Sequence, residues 1–546
     1  MTLFSFKAQW VLTSLLLASS ALAGPKVKLT STIIFEGKTL SSGQQVFRGI
    51  PYAESPVGAR RLNAPVAKTY TAGTHNAKNF GPYCIQPTAT TNGGTMSEDC
   101  LTINVQRPAP APFSSTTKIP VVVWIHSGAM TTGGSADPRY DATKFVQRGI
   151  DRGTRFIYVN FNYRLGPLGY PVGASAESAG ILNLGLKDQI LALQWVKDNI
   201  EFFGGDKDKI TLAGDGAGGI LVGNHLVNPS FGTLARAAIL QSGVGTARRA
   251  CGGSPCPRET AAWDAFVQAI PECASATDPI DCIRTTATTG SLTNAVSAVV
   301  APPTGPAFSY VTVVETGVLP GNPLDLVDTG NFAHIPVIAG VTLDQGTTLS
   351  PSTLNSDTDF VNYIQALFPT ATSTAITDTT TLYPDDPTVG SPYNTGTNTF
   401  GLSSQYKRIA SLIGDVFYVA GNRRFKVSAA AASVPVYGYR FSDPQPQLPA
   451  RLGVAQDSDF DYVYHKLPSS ASTAAKGLSK KMADYWISFI VSLDPNDSHG
   501  EIRPTWPLYA GTTPNVLDLD SSSITSIADN YRSAQINFIN AGNLPR

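Results

Sequence analysis

The stretch Ile210–Gly219 constrains the fold of this chain more than any other. It reads Ile-Thr-Leu-Ala-Gly-Asp-Gly-Ala-Gly-Gly, so residues typical of a buried strand run directly into a cluster of glycines. Gly214 and Gly218 flank Gly216 with one residue between each pair. Because glycine reaches backbone angles that strain other residues, this pattern predicts a strand that turns sharply into a helix.

The rest of the chain continues this alternation of strands and helices. Continuous apolar runs, typical of strands buried on both faces, occupy residues 119–125, 156–160, 334–341 and 434–441. Residues 185–200 and 480–490 are predicted helices, the first with an apolar stripe along one face. With no internal repeat and no clear linker, residues 24–546 are expected to form one α/β domain with a central, mostly parallel sheet flanked by helices.

Two regions are predicted to be large insertions into this domain. Cys251–Pro306 carries four of the six cysteines. Thr370–Phe400 is rich in Thr, Asp, Pro and Gly and shows little periodicity, which predicts a long surface excursion.

The N-terminus predicts export. Lys7 precedes an apolar run that ends in Ala21-Leu-Ala23, a cleavage signal of the A-x-A type. The run is shorter than the ~20 residues that a membrane span needs, so residues 1–23 are expected to be a signal peptide and the mature chain to be secreted. Basic and acidic residues number 40 each, which gives no electrostatic argument for a nucleic acid or an anionic membrane as partner.

Six cysteines accompany the export signal: Cys84, Cys100, Cys251, Cys256, Cys273 and Cys282. Among the many pairings they allow, proximity along the chain favours 84–100, 251–256 and 273–282. The spacings are not C-x-x-C pairs and no histidine cluster accompanies them, so neither a metal site nor a cofactor is expected. The one sequon, at Asn496, predicts a glycan.

Further motifs occur in an order that resembles the type-B carboxylesterase/lipase family, which includes cholinesterases and fungal lipases. These motifs are Arg48–Ala53, Ser97–Leu101, Trp124–His126, Asn162–Gly166, Asp188–Gln189 with Trp195–Val196, Phe203–Asp206, Gln241–Gly243, Asp494–Asn496 and Trp506–Pro507. They span nearly the whole mature chain, and the resemblance implies an α/β-hydrolase fold. It also implies that Arg48 with Glu98, and Arg164 with Asp188, form buried structural ion pairs.

The resemblance implies where a catalytic triad would lie. The family's nucleophilic serine, acid and histidine correspond here to Gly216, Gln345 and Gln456. None of these three residues can attack an ester or carry a proton, so the classical serine-esterase mechanism is expected to be absent. His465 lies too far along the chain to replace the histidine without a rearranged loop.

Other parts of the family's site are retained. The resemblance assigns the oxyanion hole to the backbone amides of Gly128, Ala129 and Ala217, and Ser127 adds a hydroxyl near its mouth. These amides are either ordinary turn donors or a cradle that polarises a carbonyl or enolate.

Asp344 and Asp457 flank the lost acid and base and are the candidate acid/base groups. Asp215 and His225 are expected to be buried groups of the core. The segment between Cys84 and Cys100 is short and polar, unlike the long amphipathic flap of the family's lipases, so an interfacial lipase is not expected.

Three functions stay open, and the first is favoured. In this first function, a cavity at the site binds an apolar carbonyl-bearing small molecule for a non-hydrolytic step, such as cyclisation, elimination or cycloaddition in secondary metabolism. Positioning and amide donors can promote such a step without a nucleophile. Alternatively the chain is a non-catalytic binding or adhesion module, or a carboxylic ester hydrolase that uses other residues. The expected partner is a small-molecule ligand or substrate, and the sequence does not indicate an oligomeric state.

Overall fold

The structure is a computed structural model that describes residues 24–87, 90–91, 93–109, 117–228, 231–247, 257–300, 310–512 and 514–544. The predicted signal peptide, residues 1–23, lies outside the described residues. So do Cys251 and Cys256, whose predicted pairing therefore stays a prediction.

The described strands fall into one large and one small sheet. In chain order they are β1 (Lys26–Lys28), β2 (Ile33–Glu36), β3 (Lys38–Thr39), β4 (Gln45–Pro51), β5 (Gly73–Asn76), β6 (Thr102–Arg107), β7 (Ile119–Ile125), β8 (Ile157–Phe161), β9 (Gly205–Asp215), β10 (Ala237–Gln241), β11 (Val337–Thr342), β12 (Val436–Phe441), β13 (Asn515–Leu519) and β14 (Thr525–Ala528).

The large sheet has the order β14-β13-β12-β11-β10-β9-β7-β8-β6-β4-β3. Its central strands, from β8 through β7, β9, β10, β11 and β12 to β13, pair in parallel, and antiparallel strands lie at both edges. β1, β2 and β5 form the small separate sheet. The predicted central, mostly parallel sheet is confirmed, and β9, which carries the glycine-rich turn, lies at its middle.

Helices cover both faces of the large sheet. They are α1 (Thr143–Asp151), α2 (Gly166–Gly169), α3 (Ala174–Ser178), α4 (Leu184–Asn199), α5 (Ala217–Leu226), α6 (Pro257–Gln268), α7 (Pro279–Thr285), α8 (Thr289–Val299), α9 (Pro323–Asp328), α10 (Asp357–Leu367), α11 (Ser373–Leu382), α12 (Ser404–Gly414), α13 (Ala420–Ala431), α14 (Phe460–Val463), α15 (Thr473–Ser492) and α16 (Ser533–Asn540).

The two-sided burial of the sheet shows in the side chains of β7. Val121 and Val123 belong to one hydrophobic cluster, and their neighbours Val122 and Trp124 belong to another. Successive side chains of a strand point to opposite faces, so each face of the sheet has its own core. This is why the strands read as continuous apolar runs in the sequence. No helix in the described part of the chain is both long and apolar enough to span a membrane.

The insertion Thr370–Phe400 is more ordered than the sequence predicts. It contains α11, whose N-terminus is capped by the Thr372 side chain and whose buried face includes Ala375, Ile376 and Thr379. This stripe is short and part of it is threonine, a weak helix former, which is why periodicity did not reveal it. The segment therefore contains a helix that the prediction of a long surface excursion did not include.

One of the two predicted ion pairs is confirmed and the other is wrong. Arg164 contacts Asp188 at 2.7 Å, and both side chains are buried. Glu98, however, pairs with Arg61 at 2.6 Å, and the guanidinium of Arg48 lies 4.2 Å from the centre of the Phe80 ring. The Arg61 guanidinium also donates to the backbone carbonyls of Ile283, in α7, and of Ala287, which follows α7, so it joins Glu98 to the first insertion.

Two of the predicted disulfides are present. Cys84 bonds to Cys100, and Cys273 bonds to Cys282. The first lies within a main core cluster, and the second fastens the helical insertion that contains α6, α7 and α8. Both are local links that close short loops.

Candidate functional site

The turn between β9 and α5 sits at the centre of the candidate site. β9 ends at Asp215, and Gly216 has φ 50° and ψ −117°, a left-handed conformation that L-side chains rarely adopt. A hydrogen bond of 2.8 Å from the Gly216 amide to the Gln241 carbonyl ties the turn to β10. A Cβ at Gly218 would collide with the Ile125 carbonyl, so the helix can approach the sheet only because this residue is glycine.

A cavity opens in front of this turn, with about 800 Å³ of space that is partly open to solvent. Its wall is mostly apolar and includes Met130, Ile220, Val311, Leu349 and Phe417. A few polar side chains interrupt the apolar surface, and they are Ser127, Asn224, Thr312 and Gln456, together with the rings of Tyr310 and Tyr418. An apolar pocket with few polar groups is typical of a small-molecule site.

The structure brings Gln456 to the turn. A Cβ built on Gly216 would lie 2.6 Å from Gln456 Nε2. The other end of the amide, Oε1, accepts a hydrogen bond of 2.6 Å from the Tyr418 hydroxyl. Tyr418 lies in a single π-helical turn, Asp415–Val419, between α12 and α13. Such turns often occur at functional sites, and this one supplies both aromatic residues 417 and 418 to the cavity wall.

Ser127 occupies the opposite side of the turn. Its Oγ would also lie 2.6 Å from a Cβ on Gly216, and it accepts a hydrogen bond of 3.3 Å from the Ala217 amide. The Ser127 amide donates to the Tyr140 hydroxyl at 2.8 Å, which fixes this residue from behind. One of the three predicted oxyanion donors, Ala217, is therefore already engaged by a side chain of the protein.

The other two predicted donors lie in a strained loop. Gly128, Ala129 and Met130 have φ values of 110°, 55° and 62°, and such angles are costly for residues with a side chain. Four hydrogen bonds from the amides and hydroxyls of Thr131 and Thr132 to the Gly128 carbonyl hold the loop. Within the described part of the chain, the amides of Gly128 and Ala129 donate to no other group, and Ala129 lines the cavity.

Gln345 lies outside the cavity wall. It is 2% exposed, and its Nε2 donates to Ser242 Oγ at 2.8 Å. Its Oε1 is buried and has no partner among the described residues. The neighbouring residue Asp344 pairs with Ala455 in an isolated β-bridge, so the loops that carry Gln345 and Gln456 are joined directly.

The Asp344 carboxylate binds loops rather than facing the cavity. One oxygen accepts from Ser391 Oγ at 2.8 Å and from the Tyr393 amide at 2.9 Å, and the other accepts from the Val454 amide at 2.9 Å. Burial raises the pKa of Asp344, although these three hydrogen bonds favour the charged form. It is absent from the cavity wall among the described residues. Its role as an acid/base group stays a prediction.

Asp457 belongs to an acidic cluster formed by this partly exposed residue and the buried residues Asp215 and Asp459, next to the guanidinium of Arg139. Arg139 Nη2 lies 2.5 Å from Asp215 Oδ2 and 2.9 Å from Asp457 Oδ2. Asp459 accepts from the Tyr439 hydroxyl at 2.6 Å. Two carboxylates thus share the guanidinium of Arg139 directly behind the turn, and the third, Asp459, is held by Tyr439 and by Gln241 Nε2, which donates to it at 3.2 Å.

Burial sets the charge state of the two buried carboxylates of this cluster, Asp215 and Asp459. It raises the pKa of Asp215 to about 7, with the nearby Arg139 opposing the shift and the other two carboxylates adding to it. Burial likewise raises the pKa of Asp459 to about 6. Sequence reasoning missed Arg139 and Asp459, because nothing in their local sequence marks them and they meet Asp215 only through the fold.

The buried histidines near the site do not face the cavity. Burial lowers the pKa of His126 to about 4 and that of His225 to about 3, so both are neutral at physiological pH. His126 contacts the Ser127 carbonyl through Nδ1 at 2.8 Å, and His225 contacts Gln189 through Nε2 at 2.8 Å. Among the described residues of the cavity wall there is no histidine, carboxylate, lysine or arginine.

A parallel sheet that carries a strand–turn–helix elbow at its centre, with a cavity above the elbow, defines an α/β-hydrolase. A comparison with known protein families narrows this class to one family. A sequence model of the carboxylesterase family matches residues 25–539. The chain belongs to the carboxylesterase family.

Several relatives cover almost the whole chain. Secreted lipase 1 of Botryotinia fuckeliana is 32% identical over 94% of this chain and 93% of its own length. A secreted triacylglycerol lipase of Gibberella zeae is 31% identical over 96% of this chain and 93% of its own. The crystal structure of Aspergillus niger EstA is similar with a TM-score of 0.83 and 26% identity, covering 96% of this chain and 99% of that one.

Proposed function

We propose that this member of the carboxylesterase family has lost the serine-esterase mechanism and uses its cavity to bind an apolar, carbonyl-bearing small molecule. The bound molecule then undergoes a non-hydrolytic step of the kind that positioning promotes, such as cyclisation, elimination or cycloaddition. The observation that carries the proposal is the pair Gly216 and Gln456, which face each other at the elbow where the family mechanism needs a nucleophile and a base.

The chemistry of the cavity wall supports the loss of hydrolysis. Ester cleavage by an α/β-hydrolase needs a hydroxyl that attacks the carbonyl and a base that takes its proton. The hydroxyl nearest the elbow belongs to Ser127, and the amide of Gln456 beside it cannot take a proton. Gln345, at the position that corresponds to the family's acid, carries no charge that could stabilise an imidazolium.

The same wall supports the binding of a carbonyl compound. The Gly128 and Ala129 amides have no partner among the described residues, and Ala129 lines an otherwise apolar cavity. Preorganised amides in a water-poor site stabilise negative charge that develops on an oxygen, including that of an enolate. Hydrogen bonds to the carbonyl oxygen of the substrate and apolar contacts with the rest of it would hold the substrate in one orientation.

The competing function is ester hydrolysis through other residues. It is favoured by the relatives, which are named as lipases, and by the similarity to a solved structure named PNB esterase, with a TM-score of 0.76 and 27% identity. We expect the protein to turn over p-nitrophenyl acetate and p-nitrophenyl butyrate no faster than a bovine serum albumin control. We also expect no covalent labelling by a fluorophosphonate. Saturable turnover together with a labelled serine would overturn the proposal in favour of hydrolysis.

We further propose that the protein acts outside the cell or in the secretory pathway. Support comes from the sequence pattern of residues 1–23, the two disulfides and the relatives that are named as secreted. N-terminal sequencing of protein recovered from the culture medium should give Gly24 as the first residue. Recovery only from the cell lysate, with residues 1–23 attached, would contradict this.

A further inference from the structure

The polar groups nearest the elbow present donors to the cavity. The Tyr418 hydroxyl occupies Gln456 Oε1 at 2.6 Å, and the Ala217 amide occupies Ser127 Oγ at 3.3 Å. Each of these bonds occupies one lone pair of the accepting oxygen. The NH₂ group of Gln456 and the hydroxyl hydrogen of Ser127 stay available as donors, and neither donates to another described residue.

The two donors flank the same point. A Cβ on Gly216 would lie 2.6 Å from Gln456 Nε2 and 2.6 Å from Ser127 Oγ. An oxygen atom that enters the cavity toward the elbow therefore meets both groups together, with the Ala129 amide on the same wall. Such a constellation offers two hydrogen-bond donors to one acceptor oxygen.

Electrostatics decides between a charged and an uncharged acceptor. Among the described residues, no cationic side chain lines the cavity. The carboxylates of the acidic cluster lie directly behind it, since Asp215 precedes Gly216 and Asp457 follows Gln456 in the chain. Asp215 and Asp457 share the guanidinium of Arg139, and Asp459 has only the neutral donors Tyr439 and Gln241. The three carboxylates of the cluster therefore face one cation. A carboxylate ligand would meet this excess negative charge in a partly buried site, whereas an uncharged carbonyl would not.

We propose that the cavity selects an uncharged carbonyl compound, of which a ketone with an apolar chain is the simplest case, through hydrogen bonds from Gln456 Nε2 and the Ser127 hydroxyl. This rests on the proposed function, because it assigns the ligand class of the same cavity. Gln456 and Ser127 are the specificity-determining residues. Tyr418 is a positioning residue, since its hydroxyl holds the Gln456 amide with the NH₂ group toward the elbow.

Calorimetric titration at pH 8 with nonan-2-one and with nonanoate tests this selection, because the two probes share an apolar chain and differ in charge. We expect the ketone to bind at least about tenfold more tightly than the carboxylate. Gln456→Leu keeps the volume and removes the donor, so it should weaken ketone binding about tenfold. The matched control Gln447→Leu changes an exposed glutamine on the same β12–α14 connection and should leave the affinity unchanged.

Two further variants separate binding from folding. Asp215→Asn removes one negative charge behind the elbow, so nonanoate should bind several-fold more tightly while ketone affinity stays constant. Tyr418→Phe should reduce ketone affinity about threefold without changing the weak affinity for nonanoate, a selective effect that general destabilisation would not produce. If Gln456→Leu does not fold, Gln456→Met carries the same test.

The inference is overturned if nonanoate binds as tightly as nonan-2-one, if neither probe binds, or if loss of the Gln456 donor leaves the ketone affinity unchanged. The proposed function fails by a different result, namely saturable ester turnover with fluorophosphonate labelling. The titrations decide the ligand class whether or not that turnover is found, so the two failures are distinguishable.

Discussion

At the scale of single residues, Gly216 and Ser127 form one unit. The elbow keeps a left-handed conformation, with φ 50° and ψ −117°, which costs about 1–3 kcal/mol for a residue with a side chain and nothing comparable for glycine. A Cβ at residue 216 would lie only 2.6 Å from Ser127 Oγ and 2.6 Å from Gln456 Nε2, which is closer than a van der Waals contact. A serine at position 216 therefore requires changes in its neighbours as well.

Under the proposed function, these contacts of residue 216 predict how serine-esterase activity could be introduced. The triple variant Gly216→Ser, Gln345→Glu, Gln456→His should remain inactive, because Ser127 Oγ crowds the new side chain and occupies the Ala217 amide. Adding Ser127→Gly should raise p-nitrophenyl butyrate turnover at least about tenfold, since removing one oxyanion donor from an esterase costs about 10²–10³ in rate. The control retains Gly216 and carries the other three changes. Equal activity of the triple and quadruple variants would contradict this effect of Ser127.

Asn496 is engaged in a structural role. Its side-chain nitrogen donates to Asp494 Oδ1 at 2.9 Å and to the Trp506 carbonyl at 3.0 Å, while its oxygen accepts from the Trp506 amide at 2.8 Å. These contacts oppose the glycan that the sequon predicts. Asn496→Gln should lower the free energy of unfolding by about 1–3 kcal/mol, measured by urea denaturation. Ser498→Ala removes the sequon and keeps Asn496, so it should have little effect on stability, and mass spectrometry should find Asn496 unmodified.

At the scale of elements, the site depends on connections that cross between distant loops. The elbow is formed by β9 and α5, but the cavity wall also comes from the π-helical turn after α12 and from the loop before α14. The second insertion contributes indirectly, because Ser391 and Tyr393 bind the Asp344 carboxylate that also holds the Val454 amide. The insertion thus supports the loop that carries Gln456.

Asp344 allows the structural and catalytic alternatives to be separated. Asp344→Ala removes the acceptor of three hydrogen bonds in a buried place, so it should lower the free energy of unfolding by about 2–4 kcal/mol. If Asp344 only holds loops, ketone affinity in the folded variant falls while its dependence on pH is unchanged. A role as proton carrier would instead alter the pH profile of the reaction. Asp386→Ala, a change on the same insertion at an exposed residue, is the control.

At the scale of the whole molecule, the sequence predicted the framework better than the site. The strands of the central sheet were predictable because burial on both faces leaves continuous apolar runs, as in β7 and β11. Two disulfides were predictable because their partners lie close together in the chain, namely Cys84 with Cys100 and Cys273 with Cys282. The hydrogen bonds from Tyr418 to Gln456 and from Ala217 to Ser127 were not, because each joins residues far apart in the chain through geometry that local sequence does not encode.

The acidic cluster was equally invisible in the sequence, and it has a consequence for the stability of the entire molecule. An aspartate in an unfolded chain titrates near pH 4. Burial raises the pKa of Asp215 to about 7 and that of Asp459 to about 6, so between these limits the native state holds protons that the unfolded chain has released. By linkage, their contribution to stability is fully present below about pH 4 and is lost as the pH rises through 6 and 7.

His126 and His225 oppose this effect, because burial lowers their pKa to about 4 and about 3 and their contribution to stability is lost as the pH falls below about 6.5. The acidic cluster is therefore tested by comparing variants: relative to Asp215→Asn, the parent protein should gain unfolding free energy on the order of 2 kcal/mol as the pH is lowered from 8 to 5. Asp529 acts in the opposite sense. Ion pairs with Lys426 and Arg423 outweigh its burial and lower its pKa to about 2, so its contribution is lost as the pH falls from about 4 through 2. In differential scanning calorimetry between pH 8 and 5, the melting temperature of Asp215→Asn should fall relative to that of the parent protein, whereas Asp208→Asn, at an exposed carboxylate, should keep the parent slope. Parallel curves for the parent protein and Asp215→Asn would exclude the acidic cluster as the cause.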